Sequence, residues 1–144
     1  MAGIFGITNK GRYLEDFQET FYLASGITAA DVGKAVSIDT SAAHTVKLAA
    51  ANDQVVGRLE VVEDRKQEGI LVGTISLKGF ARFPIAGSLT GVNVVAVGDS
   101  IEGAGNGEIR AANDGSAKTP DHRSNFVKSL FTEGGVNYAL VAYL

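Results

Sequence analysis

Residues 54–101 read QVVGRLEVVEDRKQEGILVGTISLKGFARFPIAGSLTGVNVVAVGDSI, and the reading of this stretch decides the fold class. Two long apolar-rich runs flank a charged tip, a third run is interrupted by Pro84, and a glycine-punctuated hairpin closes on Gly98 and Asp99. Leu59, Val61 and Glu63 alternate with Arg58, Glu60 and Val62, while Leu71, Ile75 and Leu77 share a face with a gap at Gly73. Period-two alternation of β-branched residues is a strand signal, so the stretch is expected to form a β-meander. The tip EDRKQEG (63–69) carries charges of both signs and ends in glycine, as a solvated hairpin loop does. In the run 79–85, Phe80 and Arg82 alternate with Ala81 and Phe83. A proline is poorly tolerated in a central strand, so this run is expected at a sheet edge, where it would invite pairing with another chain.

Outward from this centre, the chain of 144 residues fits one domain, long enough to bury a substantial core. Eighteen glycines against two prolines, set among many short Val/Ile/Leu runs, favour an all-β domain rich in turns. The expected fold class is mainly β: a small antiparallel β-barrel or sandwich with one short helical turn and an extended N-terminal arm. The arm covers residues 1–26 and the β-rich domain residues 27–144. Aromatic residues crowd the arm at Tyr13, Phe17, Phe21 and Tyr22, and residues 20–23 favour a short strand at its end. These rings either cap the core or dock on a neighbouring protein. Thr28 and Asp31 are spaced as a capping box, opening one helical turn that Gly33 ends. Strands are expected at 35–39, 45–49, 108–112, 125–131 and 136–144. In the last of them Val136, Tyr138 and Leu140 share one face, Val141 and Tyr143 the other, and both faces are expected to be buried.

Chemistry-bearing constellations are weak. Net charge is −3 and the thirteen Lys and Arg are scattered, whereas sequence-independent nucleic-acid binding needs clustered cations. Absence of cysteine removes disulfides, thiolate chemistry and Cys-based zinc sites. No apolar run reaches the length of a membrane span and the N-terminus lacks a signal-peptide pattern, so a soluble protein made in a cytoplasm is expected. His44 and His122 stand far apart without partners at metal-ligand spacing. His122 beside Asp121 and Ser124 does not make a triad by sequence proximity. The glycines at 103, 105 and 107 precede a strand and so mark a turn, where a dinucleotide site would need a helix. Lys66 and Lys78 lack the flanking residues of swinging-arm carrier domains. No enzyme, metal or cofactor is expected. The polar stretch 113–124 is the longest without regular pattern, and loops of that length are often functional or mobile.

The segments DVGKAV (31–36), VKLA (46–49), DQVVG (53–57) and GDSI (98–101), with Gly107 before a strand, resemble the small head-decoration, or capsid cement, proteins of tailed bacteriophages. The resemblance spans about residues 27–113. Many relatives carry a Gly-Xaa-Ala-Leu motif before their last strands where this chain has RSNF (123–126). The resemblance implies a non-enzymatic protein on the outer capsid surface of a virion, made in the host bacterial cytoplasm. It would bind the phage major capsid protein, commonly as a homotrimer, with no direct nucleic-acid or membrane partner. It would fasten neighbouring capsid subunits in the expanded, DNA-filled head. The contact residues expected from the arm are Phe5, Tyr13, Phe17, Phe21 and Tyr22, and from the edge Phe80, Arg82 and Phe83. The alternative is a β-barrel component of a phage tail or baseplate, or a carbohydrate-binding module. Sugar binding usually presents aromatic platforms, and this chain has no Trp and few aromatics after Phe83.

Overall fold

The computed structural model of the chain describes residues 17–112 and 125–143. Its strands are β1 (Phe17–Leu23), β2 (Ala35–Ile38), β3 (Thr45–Leu48), β4 (Gly57–Arg65), β5 (Ile70–Pro84), β6 (Ile101–Gly105), β7 (Glu108–Ala111), β8 (Asn125–Glu133) and β9 (Val136–Tyr143). Seven of them form one mixed sheet in the order β1-β3-β2-β4-β5-β9-β8, and β1 also pairs with β5. That extra pairing closes β1, β3, β2, β4 and β5 into a small barrel. Leu23, Val36, Val46, Leu59 and Ile75, one from each barrel strand, meet in its interior with Ile27. The mainly β architecture expected from the sequence is therefore present, with one parallel contact where Tyr22 and Leu23 of β1 align with Thr45 and Val46 of β3.

The long strand β5 joins the barrel to the rest of the molecule. Its first part pairs with β4 on one side and β1 on the other; its second part, from Gly79 to Pro84, pairs with β9. The third run read from the sequence is thus a continuation of β5, and only β4–β5 is a meander hairpin. β5, β9 and β8 make a three-stranded wing. Its inner face packs Phe83, Ala81, Ala139, Val141, Tyr143 and Val127 into a second core with Ile101 and Ile109 of the β6–β7 hairpin. Inside the wing the Phe83 and Tyr143 rings lie 6.0 Å apart. The buried Tyr143 hydroxyl donates to Ser76 O at 2.8 Å, tying wing to barrel.

Pro84 lies where β5 has a strand on one side only among the described residues, as expected of an edge, and the backbone directions explain why the proline fits there. Ile85 N–H donates to Asn137 O of β9, so odd-numbered groups point toward β9. Arg82 O and Ala86 N–H face the other way, bonded to Arg58 Nε and Ile109 O. The missing Pro84 N–H falls in this second row, where no strand lies beside it among the described residues, so the proline costs no ladder hydrogen bond there. The wing therefore has two borders among the described residues, this part of β5 and, beyond β9, β8.

Two irregularities shift the alternation read from the sequence. The β4–β5 register slips between Leu59 and Val61, so Leu59 is buried and Val62 follows it onto the core while Val61 is exposed. The β8–β9 register slips at Leu140/Val141, leaving Lys128 as the extra residue of a bulge. Leu71, Ile75 and Leu77 do share the barrel core, and the gap at Gly73 is filled by Leu23, whose Cδ1 would lie 2.9 Å from an added Cβ. The Thr28–Asp31 capping box forms as read: Ala30 N–H donates to Thr28 Oγ1 and Thr28 N–H to Asp31 Oδ2, around a single 3₁₀ turn. Gly134 and Gly135 both have positive φ, the conformation of the tight turn joining β8 to β9.

Asp53 staples the β2–β3 hairpin to the loop after it. Burial alone would raise its pKa, but the Ala50 N–H, the Ser37 hydroxyl and the Lys47 ammonium outweigh burial and hold the carboxyl below its ordinary value of 3.8. A depressed folded-state pKa stabilises above the unfolded value and is lost as pH falls through the folded one. Urea midpoints should accordingly be flat near neutrality and fall below about pH 4. Asp53→Ala leaves the buried Ser37 hydroxyl and the Ala50 N–H without this acceptor. It should cost about 1–3 kcal/mol at pH 7, read by urea denaturation. An unchanged midpoint would contradict this role.

Candidate interaction surface

The wing has two faces, and only the inner one carries a second layer among the described residues. Register assigns the outer face row by row. Phe80 lies opposite Ala142, which lies opposite Phe126; Arg82 faces Leu140, then Ser129; Pro84 faces Tyr138, then Phe131. Directly opposed residues of antiparallel strands project to the same side. Phe17, opposite Lys78, continues this face beyond Phe80. Phe80, Phe126 and Phe131 are 37%, 44% and 37% exposed, and Phe17 is 54% exposed. Rings of this size are usually covered, and adjacent exposed apolar side chains mark contact sites where scattered ones do not.

Charged groups order this face. The Arg82 guanidinium sits 4.9 Å from the Tyr138 ring centre and bonds Glu133 Oε1 at 2.5 Å. Lys128, lifted outward by the bulge, places its ammonium 4.7 Å from the Phe80 ring centre. Phe131 and Tyr138 stack at 5.4 Å and 21°. At its Pro84–Tyr138 end the face runs into a cleft of about 310 Å³ lined in part by Val32, Lys34 and Arg58. There Lys34 and Arg58 are paired with Asp31 and Glu60, so the cleft is not a free anion site.

On the other side of β8 lies a cleft of about 380 Å³, of mixed polar and apolar lining, between the loop carrying Leu89, Val94 and Val95 and the hairpin residues Leu130, Phe131 and Thr132. Among the described residues β8 pairs with β9 and, at Val127, with the Gly98 and Asp99 backbone. The end strand of the sheet therefore borders both the cleft and the outer face.

Of the expected contact residues, the fold brings Phe17, Phe80 and Arg82 together on the outer face. Phe83 is 0% exposed in the inner core and cannot reach a partner; the strand alternates, and its parity is opposite to that of Phe80. Phe21 packs against the barrel core, and Tyr22 lies on the barrel wall near His44. Residues 17–23 of the expected arm are a barrel strand; Phe5 and Tyr13 lie outside the described residues, as do His122 and the stretch 113–124. The last strand is buried on the Ala139, Val141 and Tyr143 side; on the other side Ala142 is buried, whereas Val136 is exposed and Tyr138 and Leu140 are half-buried, so that face is covered only at the end of the strand. Sequence reading missed Phe126, Phe131 and Tyr138. Counting outward from Gly134–Gly135 pairs Phe131 with Tyr138, a signal the sequence contains. Among the described residues no three His, Asp or Glu side chains cluster as a metal site, and no helix is long and apolar enough to cross a membrane. No protein-family model matches the chain, and no curated protein is similar to it.

Proposed function

We propose that the protein is a non-catalytic capsid decoration protein that binds the outside of a tailed-phage shell and cements neighbouring major capsid subunits. The observation that carries this reading is the aromatic outer face of the wing, which offers Phe17, Phe80, Phe126 and Phe131 on rigid strands. The sequence resemblance to capsid cement proteins supplies the partner. Fastening subunits needs contact area more than chemistry: specific stable contacts bury roughly 1,200–2,000 Å² in total, and repetition around a symmetry axis adds avidity. Aromatic and arginine side chains supply much of such a contact's energy, and the face is built from those types.

The test is cosedimentation of the purified protein with empty expanded shells of the major capsid protein encoded in the same genome. Saturable pelleting with the shells is expected. Failure to pellet, with labelled protein found instead on tails in virion images, would overturn the shell reading in favour of a tail or baseplate component. The homotrimer is a separate part of the proposal; a monomer mass by light scattering at micromolar concentration would contradict it.

A further inference from the structure

Among the described side chains, unpaired positive charge is confined to one end of the outer face. Lys34, Lys47, Arg58, Arg65, Arg82 and Arg110 each hold a carboxylate at ion-pair distance, whereas Lys78 and Lys128 hold none among the described residues. Both of these lysines are exposed and both border Phe80. Lys78 precedes it by two residues on β5, and the Lys128 ammonium lies 4.7 Å from its ring centre. We propose that the partner segment seated on this face presents a carboxylate, from Asp or Glu, beside an apolar side chain. The carboxylate meets Lys78 and Lys128, and the apolar group covers Phe80 and Phe126.

Covering Phe80 is what makes the carboxylate necessary. An ammonium held over a ring loses water once that ring is covered, and a desolvated charge is strongly unfavourable without a counter-charge. A purely apolar segment would gain the ring contacts and offset them by stripping water from Lys128. The strands around the lysines do not supply the missing charge: Glu133 is held by Arg82, and Glu19, two residues beyond Phe17 on β1, pairs with neither lysine. Opposite charges meeting across a contact steer the encounter and are screened by salt. That the partner is the shell protein rests on the function proposed above; the chemistry asked of its segment comes from Lys78, Lys128 and the two rings.

The test is cosedimentation with empty expanded shells at about 50 mM and about 500 mM sodium chloride, between which the screening length shrinks about threefold. The parent should bind more weakly at the higher salt. Lys78→Gln with Lys128→Gln should bind about tenfold more weakly than the parent at the lower salt and nearly as well as the parent at the higher. Lys78→Arg with Lys128→Arg should match the parent at both. So should Ala42→Glu with Gln67→Glu, which gives the glutamine variant's net charge from exposed turns of the barrel. A glutamine variant that pellets like the parent at both salts would overturn the proposal and leave the docking function standing. An equal loss at both salts would also overturn it, because the lysines would then shape the face without meeting a charge. A parent protein that never pellets would remove the docking function itself, and this proposal with it.

Discussion

Replacing Phe83 by alanine should cost about 3–5 kcal/mol, the range for truncating a fully buried aromatic ring. Among the described residues Phe83 is the largest completely buried side chain, and it stands in the inner core of the wing with Tyr143, Ala139 and Val141. The surrounding strands are hydrogen-bonded on the ladder from Gly79 to Pro84, so the site can collapse little. Phe80→Ala, three residues earlier on the same strand, should cost less, about 1–2 kcal/mol, because the ring is 37% exposed and loses only part of its packing together with a cation–π contact. Urea denaturation of both variants reads the difference directly. Equal losses would mean that the two phenylalanines do not lie on opposite faces, and the assignment of the outer surface would fall with them.

Gly57→Ala should be nearly as damaging, at about 3 kcal/mol, for a different reason. Gly57 pairs with Val36 at the short β2–β4 seam that helps close the barrel. A Cβ there would meet the Ser76 carbonyl oxygen at 2.3 Å and Ile75 Cγ2 at 2.7 Å. Neither can retreat: one is backbone, and Ile75 is wholly buried in the barrel core. Overpacking of this kind costs about 1–3 kcal/mol and more where backbone must move. Gly87→Ala, which would meet no atom within 4 Å, is the control and should stay within about 0.5 kcal/mol. A thermal midpoint for Gly57→Ala equal to that of the control would contradict the closed barrel.

Local patterns carried much of the fold. The capping box at Thr28, the β2–β3 and β8–β9 hairpins and the β4–β5 tip are short-range features, and each follows from residues within a few positions. Barrel closure is different in kind. β1 reaches Val72 and Lys78 from the far end of the sequence and Thr45 in parallel, and no periodicity within one segment encodes which distant strand it will meet. Bulges at Glu60 and Lys128 cost the alternation its phase, which hid the fact that Phe126 and Phe131 share a face despite an odd separation. Pro84 was legible as a sheet-border residue, but which strand covers its other side, β9, depends on a partner distant in sequence. The outer face was legible in part: Phe17, Phe80 and Arg82 were expected at contacts, while Phe126, Phe131 and Tyr138 needed the hairpin register.

The proposed docking surface is the outer face of the wing. Phe80→Ser combined with Phe126→Ser removes its two half-exposed rings flanking Ala142 and leaves both cores untouched. With an unchanged oligomeric mass and a thermal midpoint within a few degrees of the parent, this variant should lose at least tenfold in affinity for expanded shells by cosedimentation, a factor equal to about 1.4 kcal/mol. Parent-like binding by the well-folded variant would contradict the account.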